Sequence, residues 1–558
     1  MEMIEQQDRT ESSKLMEGLE RCKSLGRMVK RQRTPQWPTL AVSHLPSKDI
    51  SDTLVSCYLR TIETVYRVLH VPTFRRDYEA IWTPGSKPDT SFMIQLKLVL
   101  AIGATLYDEK FSMRSKALQW VYEAQTWVAE PEFKAQLSLQ YLQTRILLLL
   151  ARETTSVGED FTWISAGALV RAAVYMGLHR DPVHLPKRTL FGAEMRRRLW
   201  NTILELSLHS SLVSGGPPLM SLDMFDSEPP RNFDDEQLLT ENPVSKPEDE
   251  FSHTTIARAF RRTWEIRLRI AEYLNDLASH GTYDEALQLD HDFRALYKEL
   301  SRTIQRANFK GERSPAYFAI NYVDFAMRRW LMSVHVPFLG PTFYATTYAF
   351  SHKVVIDASL KLWKTTNLGE ALATSQAEDG EITQARRDLT RLATSGNGYL
   401  RTCTFQASFL LAGELLNQLR EDEGLGPLTL RPDLLAVLNE SKDWSLKCLE
   451  AGETNVKGYL LNCLLASYVE GLTQGLDKPE LSELLFKTAE EAEVKCLTIL
   501  ELAALQNQTR PDNPTLSSPD SLADPMGEWD YMISDDQFNF TNDSMNWLFN
   551  DEPSLPIF

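Results

Sequence analysis

Apolar residues recur at steps of three and four along nearly the whole chain, from residue 51 to about residue 505. Trp163, Ala166, Gly167, Val170, Ala173 and Val174 make one apolar stripe, with Asp160 upstream as a cap and Gly177, then Pro182, as the stop. Met195, Leu199, Ile203 and Leu206 mark the next helix, which ends at the SGGPP run of residues 214–218. No sustained apolar/polar alternation bounded by hairpin turns interrupts this pattern, so few strands are expected. No fixed period of roughly 30 to 45 residues marks a solenoid. The pattern predicts an all-α fold: a large multi-helix domain over residues 51–505.

Both ends differ from this body. Residues 11–33 read as one helix, with Leu15, Leu19, Cys22, Gly26 and Val29 on one side. After Glu20 its charges are all basic: Arg21, Lys23, Arg27, Lys30, Arg31 and Arg33. Pro35 and Pro38 end it, so residues 1–34 form a short basic helix and 35–50 a linker. Two irregular stretches break the helical body, a Pro-rich acidic one over 215–250 and a shorter one over 374–381. Residues 506–558 interleave aromatic and acidic residues, the composition of a disordered segment that orders on a partner.

Charge sharpens this division. The net charge is −17, but residues 511–558 hold 10 Asp/Glu and no Lys/Arg, leaving −7 for the other 510 residues. The acidity belongs largely to the tail, and wholesale electrostatic binding of nucleic acid by the chain is disfavoured. The six cysteines, at 22, 57, 403, 448, 463 and 496, form no C-x-x-C pair. They suit a reducing compartment and give no zinc-site spacing. The longest purely apolar run, 146–151, is far short of the ~20 residues that span a bilayer, and the N-terminus carries no signal-peptide pattern, so a secreted or membrane-spanning protein is not expected.

Catalytic motifs are absent from the sequence: no phosphate loop of the G-x-x-x-x-G-K-[ST] type, no G-x-S-x-G elbow and no H-E-x-x-H pair. Comparison with the magnesium-binding terpene synthases fails on spacing. Asp234, Asp235 and Glu236 lie in a Pro-rich loop, and Tyr283 stands where the second acidic motif needs Glu. His179 is read as an imidazole opposing a helix dipole, and His335 as half-buried near a helix end. Arg196, Arg197 and Arg198 fan over about 200° of helix and cannot form one phosphate-tracking stripe. They are read as solvated or paired to nearby acidic loops. Lys30, Arg31 and Arg33 make a candidate nuclear-import or phosphate-contact cluster. The stripe of Leu15, Leu19, Cys22 and Val29 could pair with a second chain, although it spans only about two heptads. In the tail, Trp529, Tyr531, Phe538, Phe540, Trp547, Leu548 and Phe549 fall within 21 residues among carboxylates. They are candidate anchors of an activation segment.

Four stretches carry a family resemblance: VLHVPTFRRDYEAIW (68–82), FTWISAGALVRAAVYMGLHRDP (161–182), the run from 192 to 235 with its arginines, tryptophan and proline-x-asparagine loop, and WLMSVHVPFL (330–339). In order and spacing they resemble the middle homology region of the fungal binuclear zinc-cluster transcription factors, over roughly 40–510. The resemblance implies a helical regulatory domain and a setting in metabolic or secondary-metabolite gene control. The family's DNA reader holds two zinc ions on six clustered cysteines. Here Cys22 is the only cysteine before Cys57, so the resemblance is to a member without that module, and no zinc is expected.

These readings together imply a nuclear transcription regulator rather than an enzyme. Its expected partners are the transcription machinery, through the tail, a second chain in a homo- or heterodimer, and a small-molecule effector. Direct DNA contact without a zinc cluster would fall to the helix from Arg21 to Arg33. The alternative is a co-regulator that acts by pairing with another factor. A third class is an all-helical enzyme with an unrecognised site.

Overall fold

The computed structural model describes residues 9–39, 44–130, 137–158, 162–186, 188–277, 281–310, 316–339, 346–367, 380–396, 398–420 and 430–508. In chain order the helices begin with α1 (Arg9–Arg33), α2 (Lys48–Arg60), α3 (Ile62–Tyr66), α4 (Val71–Ile81), α5 (Thr90–Ala104), α6 (Arg114–Ala129) and α7 (Leu139–Thr155). There follow α8 (Thr162–Tyr175), α9 (Leu190–Ser214), α10 (Thr255–Arg261), α11 (Trp264–Leu274), α12 (Tyr283–Lys310) and α13 (Tyr317–His335). The last are α14 (Ala349–Thr366), α15 (Gly380–Ser395), α16 (Tyr399–Arg420), α17 (Pro432–Glu450), α18 (Lys457–Thr473) and α19 (Lys478–Gln508). No strand occurs among the described residues, and no helix among them is long and apolar enough to cross a membrane.

The chain divides into two compact units. Unit 1 joins Met1–Pro35, Phe338–Trp363 and Arg401–Phe558; unit 2 joins Gln36–Pro337 and Lys364–Leu400. In unit 1, α1 lies along α19. Leu15 packs with Phe486 and Ala489, and Cys22 with Tyr459, Cys463, Ala492, Cys496 and Leu500. The stripe that could have served a second chain is therefore covered from within: Leu15, Cys22 and Val29 are buried. The reason is proximity. A complementary apolar face on the same chain needs no second molecule, and Gly26 lets the backbones close in, since a Cβ there would stand 2.8 Å from the Thr454 carbonyl oxygen. A second core gathers Trp363, Leu411, Leu415, Leu434, Trp444 and Leu465, with the two indoles edge-to-face at 5.7 Å.

Unit 2 is organised by two helices buried nearly all round, α5 and α9. Gly103 of α5 is required by a close crossing, because a Cβ there would lie 2.1 Å from the Leu54 carbonyl oxygen of α2. Helix α9 starts at Thr189, whose Oγ1 accepts the Gly192 N–H at 3.2 Å, and stops at Gly215 with φ +64°. Its expected core residues Met195, Leu199, Ile203 and Leu206 are all buried.

Helix α8 buries Ala166, Leu169 and Ala173, so its inner face is rotated from the expected stripe and Val174 is exposed. Gly177, at φ +74°, ends that region as expected. The cap assigned to Asp160 and residues 374–379 of the second irregular stretch lie outside the described residues, and α15 starts at Gly380. His335 is not half-buried but wholly enclosed, with Nε2 3.0 Å from Asp290 Oδ1. The helix end that was to expose it is covered by α12, which carries Asp290.

Candidate functional site

The most concentrated chemistry in unit 2 is a buried charge network beneath the 215–250 stretch. The acidic run there is ordered, with short 3-10 turns at Leu222–Met224 and Glu236–Leu239. Its centre is Asp235, which is fully buried. Oδ1 accepts from Arg67 Nη2 and Arg198 Nη1, both at 2.6 Å, and Oδ2 accepts the Val71 N–H at 3.0 Å. Burial alone would raise the Asp235 pKa, but the two guanidinium groups outweigh it and hold the carboxyl well below the usual range.

Neighbouring groups complete the shell. Glu63 accepts from Tyr58 Oη at 2.7 Å and from the Leu69 N–H at 3.0 Å. Its burial dominates and pushes it up to about 7, against the pull of Arg67. His70 Nε2 lies 2.9 Å from the Asp235 carbonyl oxygen, which can only accept, so that nitrogen carries the proton. His253 Nδ1 accepts the Asp235 N–H at 3.2 Å, and burial followed by repulsion from Arg67 lowers its pKa. Asp234 pairs with Lys246 at 2.7 Å.

A second knot lies along α9. Arg197 grips Asp181 through Nε and Nη2 at 2.9 and 2.8 Å, and its Nη1 reaches Glu194 at 2.7 Å. Asp181 is desolvated yet held down to about 2, by Arg197 and by backbone N–H donors from Val183 and Glu228. Arg196 donates to the Met176 carbonyl at 2.9 Å. None of the three successive arginines is solvated, as one sequence reading allowed; Arg197 and Arg198 pair with acids, while Arg196 caps a backbone carbonyl. Asn232 ties the loop to itself, donating to the Pro247 and Glu250 carbonyls at 2.6 and 2.9 Å while accepting from Ser252 Oγ at 2.7 Å. His179 joins this corner differently from expectation: its carbonyl accepts the Asp226 and Ser227 N–H groups, and its ring meets Trp200 edge-on.

Each acid at the centre is already matched by a cation or by backbone N–H donors, an arrangement that locks a loop. Beside it an open cleft of about 550 Å³ is lined by Asp181, Arg197, Arg231, Glu248, Arg258 and Arg262, among others. Glu248 bridges Arg258 and Arg262, the latter at 2.9 Å. Among the described residues no three His, Cys, Asp or Glu side chains converge to hold a metal ion, and all six cysteines are buried thiols.

Residues 55–290 match the fungal specific transcription factor domain. The chain is 34% identical over 350 residues to the transcription factor lepE of Aspergillus flavus, covering 61% of this chain and 42% of that protein. It is 30% identical over 437 residues to the aspyridones cluster regulator apdR of Emericella nidulans, covering 75% and 57%. With the transcription factor opdR of Penicillium oxalicum the identity is 28% over 541 residues, covering 91% and 66%. Over residues 55–290 the chain is thus similar to the fungal specific transcription factor domain.

The family domain begins within α2 and ends within α12, so it contains the whole Asp235 network. These relatives are named as transcription factors or cluster regulators, not as enzymes. The chain spans 42% to 66% of the length of the three. No solved structure matches it.

Lys30 and Arg31 are exposed on α1 in unit 1, and the half-buried Arg33 donates to the Gly452 carbonyl at 2.7 Å. Trp529, Tyr531, Phe538, Phe540, Trp547, Leu548 and Phe549 lie outside the described residues. Conversely, no sequence motif singled out Asp235, Arg67 and Glu63 as one cluster.

Proposed function

We propose that this chain regulates transcription in the nucleus, controlling a fungal secondary-metabolite gene cluster. The observation that carries the reading is the domain match over residues 55–290, joined to the similarity with a relative named as a cluster regulator. In this reading unit 2 is the regulatory body, and the charge-locked loop fixes one face of it beside the polar cleft, where a small effector would bind. Lys30, Arg31 and Arg33 serve nuclear import or phosphate contact. The 506–558 segment recruits the transcription machinery through its rings, with the carboxylates keeping it solvated until a groove is offered.

Deleting the gene and profiling transcripts tests the core of this. Coordinated loss or gain across one contiguous set of biosynthetic genes is expected; unchanged transcripts across every such set would refute it. Fusing 506–558 to a heterologous DNA-binding domain tests the tail. Reporter activation is expected, with loss on Trp547→Ala combined with Phe549→Ala. A gel shift across a salt titration separates autonomous DNA binding from recruitment by a second factor, since phosphate contacts made by α1 weaken steeply with salt.

A further inference from the structure

We propose that the acidic-aromatic segment 509–558 docks back along the basic face of α1 in its own chain, so that this segment and the Lys30–Arg31 cluster cover one another. The docking rests on charge and geometry, and stands whether or not the segment activates transcription.

Helix α1 has two unlike sides. Cys22, Gly26 and Val29 are buried, Cys22 with residues of α19 and Gly26 against Thr454, whereas Arg21, Lys23, Arg27, Lys30 and Arg31 are exposed. After Glu20 no acid breaks that basic run within the helix. Arg21 already faces Glu501 of α19 at 2.5 Å, so the docking surface is centred on Arg27, Lys30 and Arg31. Met16 and Met28 on α1, and Leu502 and Leu505 near the end of α19, are exposed apolar side chains on which rings can settle.

The helices also place the tail at this surface. Leu15 meets Phe486 and Ala489, while Cys22 meets Ala492 and Cys496. Both contacts advance together along the two sequences, so α1 and α19 run parallel, and the last turn of α19 lies level with the last basic turn of α1. The chain leaves Gln508 there. The 20 residues from 509 to 528 precede the first ring, Trp529. Extended, they reach about 66 Å, whereas the 13-residue basic stretch is only about 20 Å long. A tether of this length holds the segment at millimolar effective concentration, so weak contacts suffice. The remaining match is charge: 10 acids and no base beyond residue 510, against the exposed Arg27, Lys30 and Arg31 on the helix.

Zero-length carbodiimide cross-linking of the full chain tests this, using an equimolar mixture of light and heavy-isotope protein. Links from Lys23 or Lys30 to acids between residues 528 and 552 are expected within single chains. Their yield should be independent of dilution and fall several-fold at 1 M salt, as contacts between exposed charges are screened. Arg27→Glu with Arg31→Glu leaves both lysines in place and should lower the yield at least fivefold, with unchanged circular dichroism. Absence of tail links, an unchanged yield in the double variant, or links only between light and heavy chains would each overturn the proposal. The reporter fusion of 506–558 reads activation separately, so failure of the docking is distinguishable from failure of the functional reading.

Discussion

Replacing Asp235 by Asn isolates the charge at the centre of the network. The amide keeps an oxygen near Arg67 and Arg198 but removes the negative charge that both share at 2.6 Å. Arg67 retains only the more distant Glu63, at 3.9 Å, and Arg198 only a 3.5 Å contact to the Phe233 carbonyl. Both arginines are buried, and neither Nε has a hydrogen-bond partner among the described residues. Removing one partner of a buried ion pair costs about 3 to 5 kcal/mol, because the remaining charge stays desolvated. Two cations share this acceptor, which places Asp235→Asn at the upper part of that range. With a slope near 3 kcal/mol/M, the affected urea transition should fall by about 1 M or more. The exposed pair Arg76–Asp77 is the internal control, since Arg76→Ala should move the same transition by less than about 0.5 kcal/mol. Urea titration of the full chain followed by circular dichroism reads both. A loss below about 0.5 kcal/mol for Asp235→Asn would refute the view that this carboxylate holds the loop by charge.

Further outcomes follow from neighbouring residues. Glu63 is raised to about 7 in the fold from an ordinary value of 4.5, so between those pH values the folded state binds more protons than the unfolded. Its contribution must therefore weaken stability as pH rises from about 4.5 to 7 and level off above, and Glu63→Gln should remove that fall in a pH series of urea midpoints. Asp181 acts oppositely: held at about 2, it stabilises above its unfolded value near 3.8 and loses that contribution as pH falls toward 2. Asn232→Ala removes donors to two carbonyls and should cost about 2 kcal/mol while opening residues 226–250 to limited proteolysis. An unchanged cleavage pattern would count against the knot. The Cys22 and Cys496 thiols are pushed up by burial, to about 11 and about 12, so a thiol reagent at neutral pH should modify them only on unfolding.

Helical periodicity was legible because it needs only local geometry: side chains three and four apart share a face whatever lies beyond. The α9 core, the Gly177 and Gly215 stops and the all-α class followed from that. For Arg196, Arg197 and Arg198 it left solvation and pairing with nearby acidic loops both open. Three adjacent cations look like surface on any helix, and only the returning loop, which carries Asp235, together with Asp181 upstream of α9, turns two of them into buried pairs. The apolar stripe of α1 likewise named a face without naming its partner.

The sequence by itself determined the all-α class, the stops at Gly177 and Gly215, the acidic-aromatic character of the tail and the family likeness, since each is written in short-range order or composition. Only the tertiary structure decided that α1 belongs with α19 rather than with a second chain, that His335 is enclosed, and that Asp235 joins Arg67 to Arg198. Those are meetings of residues up to several hundred positions apart. Coulombic and packing energies depend on distance in space and on desolvation, and neither quantity is carried by spacing along the chain.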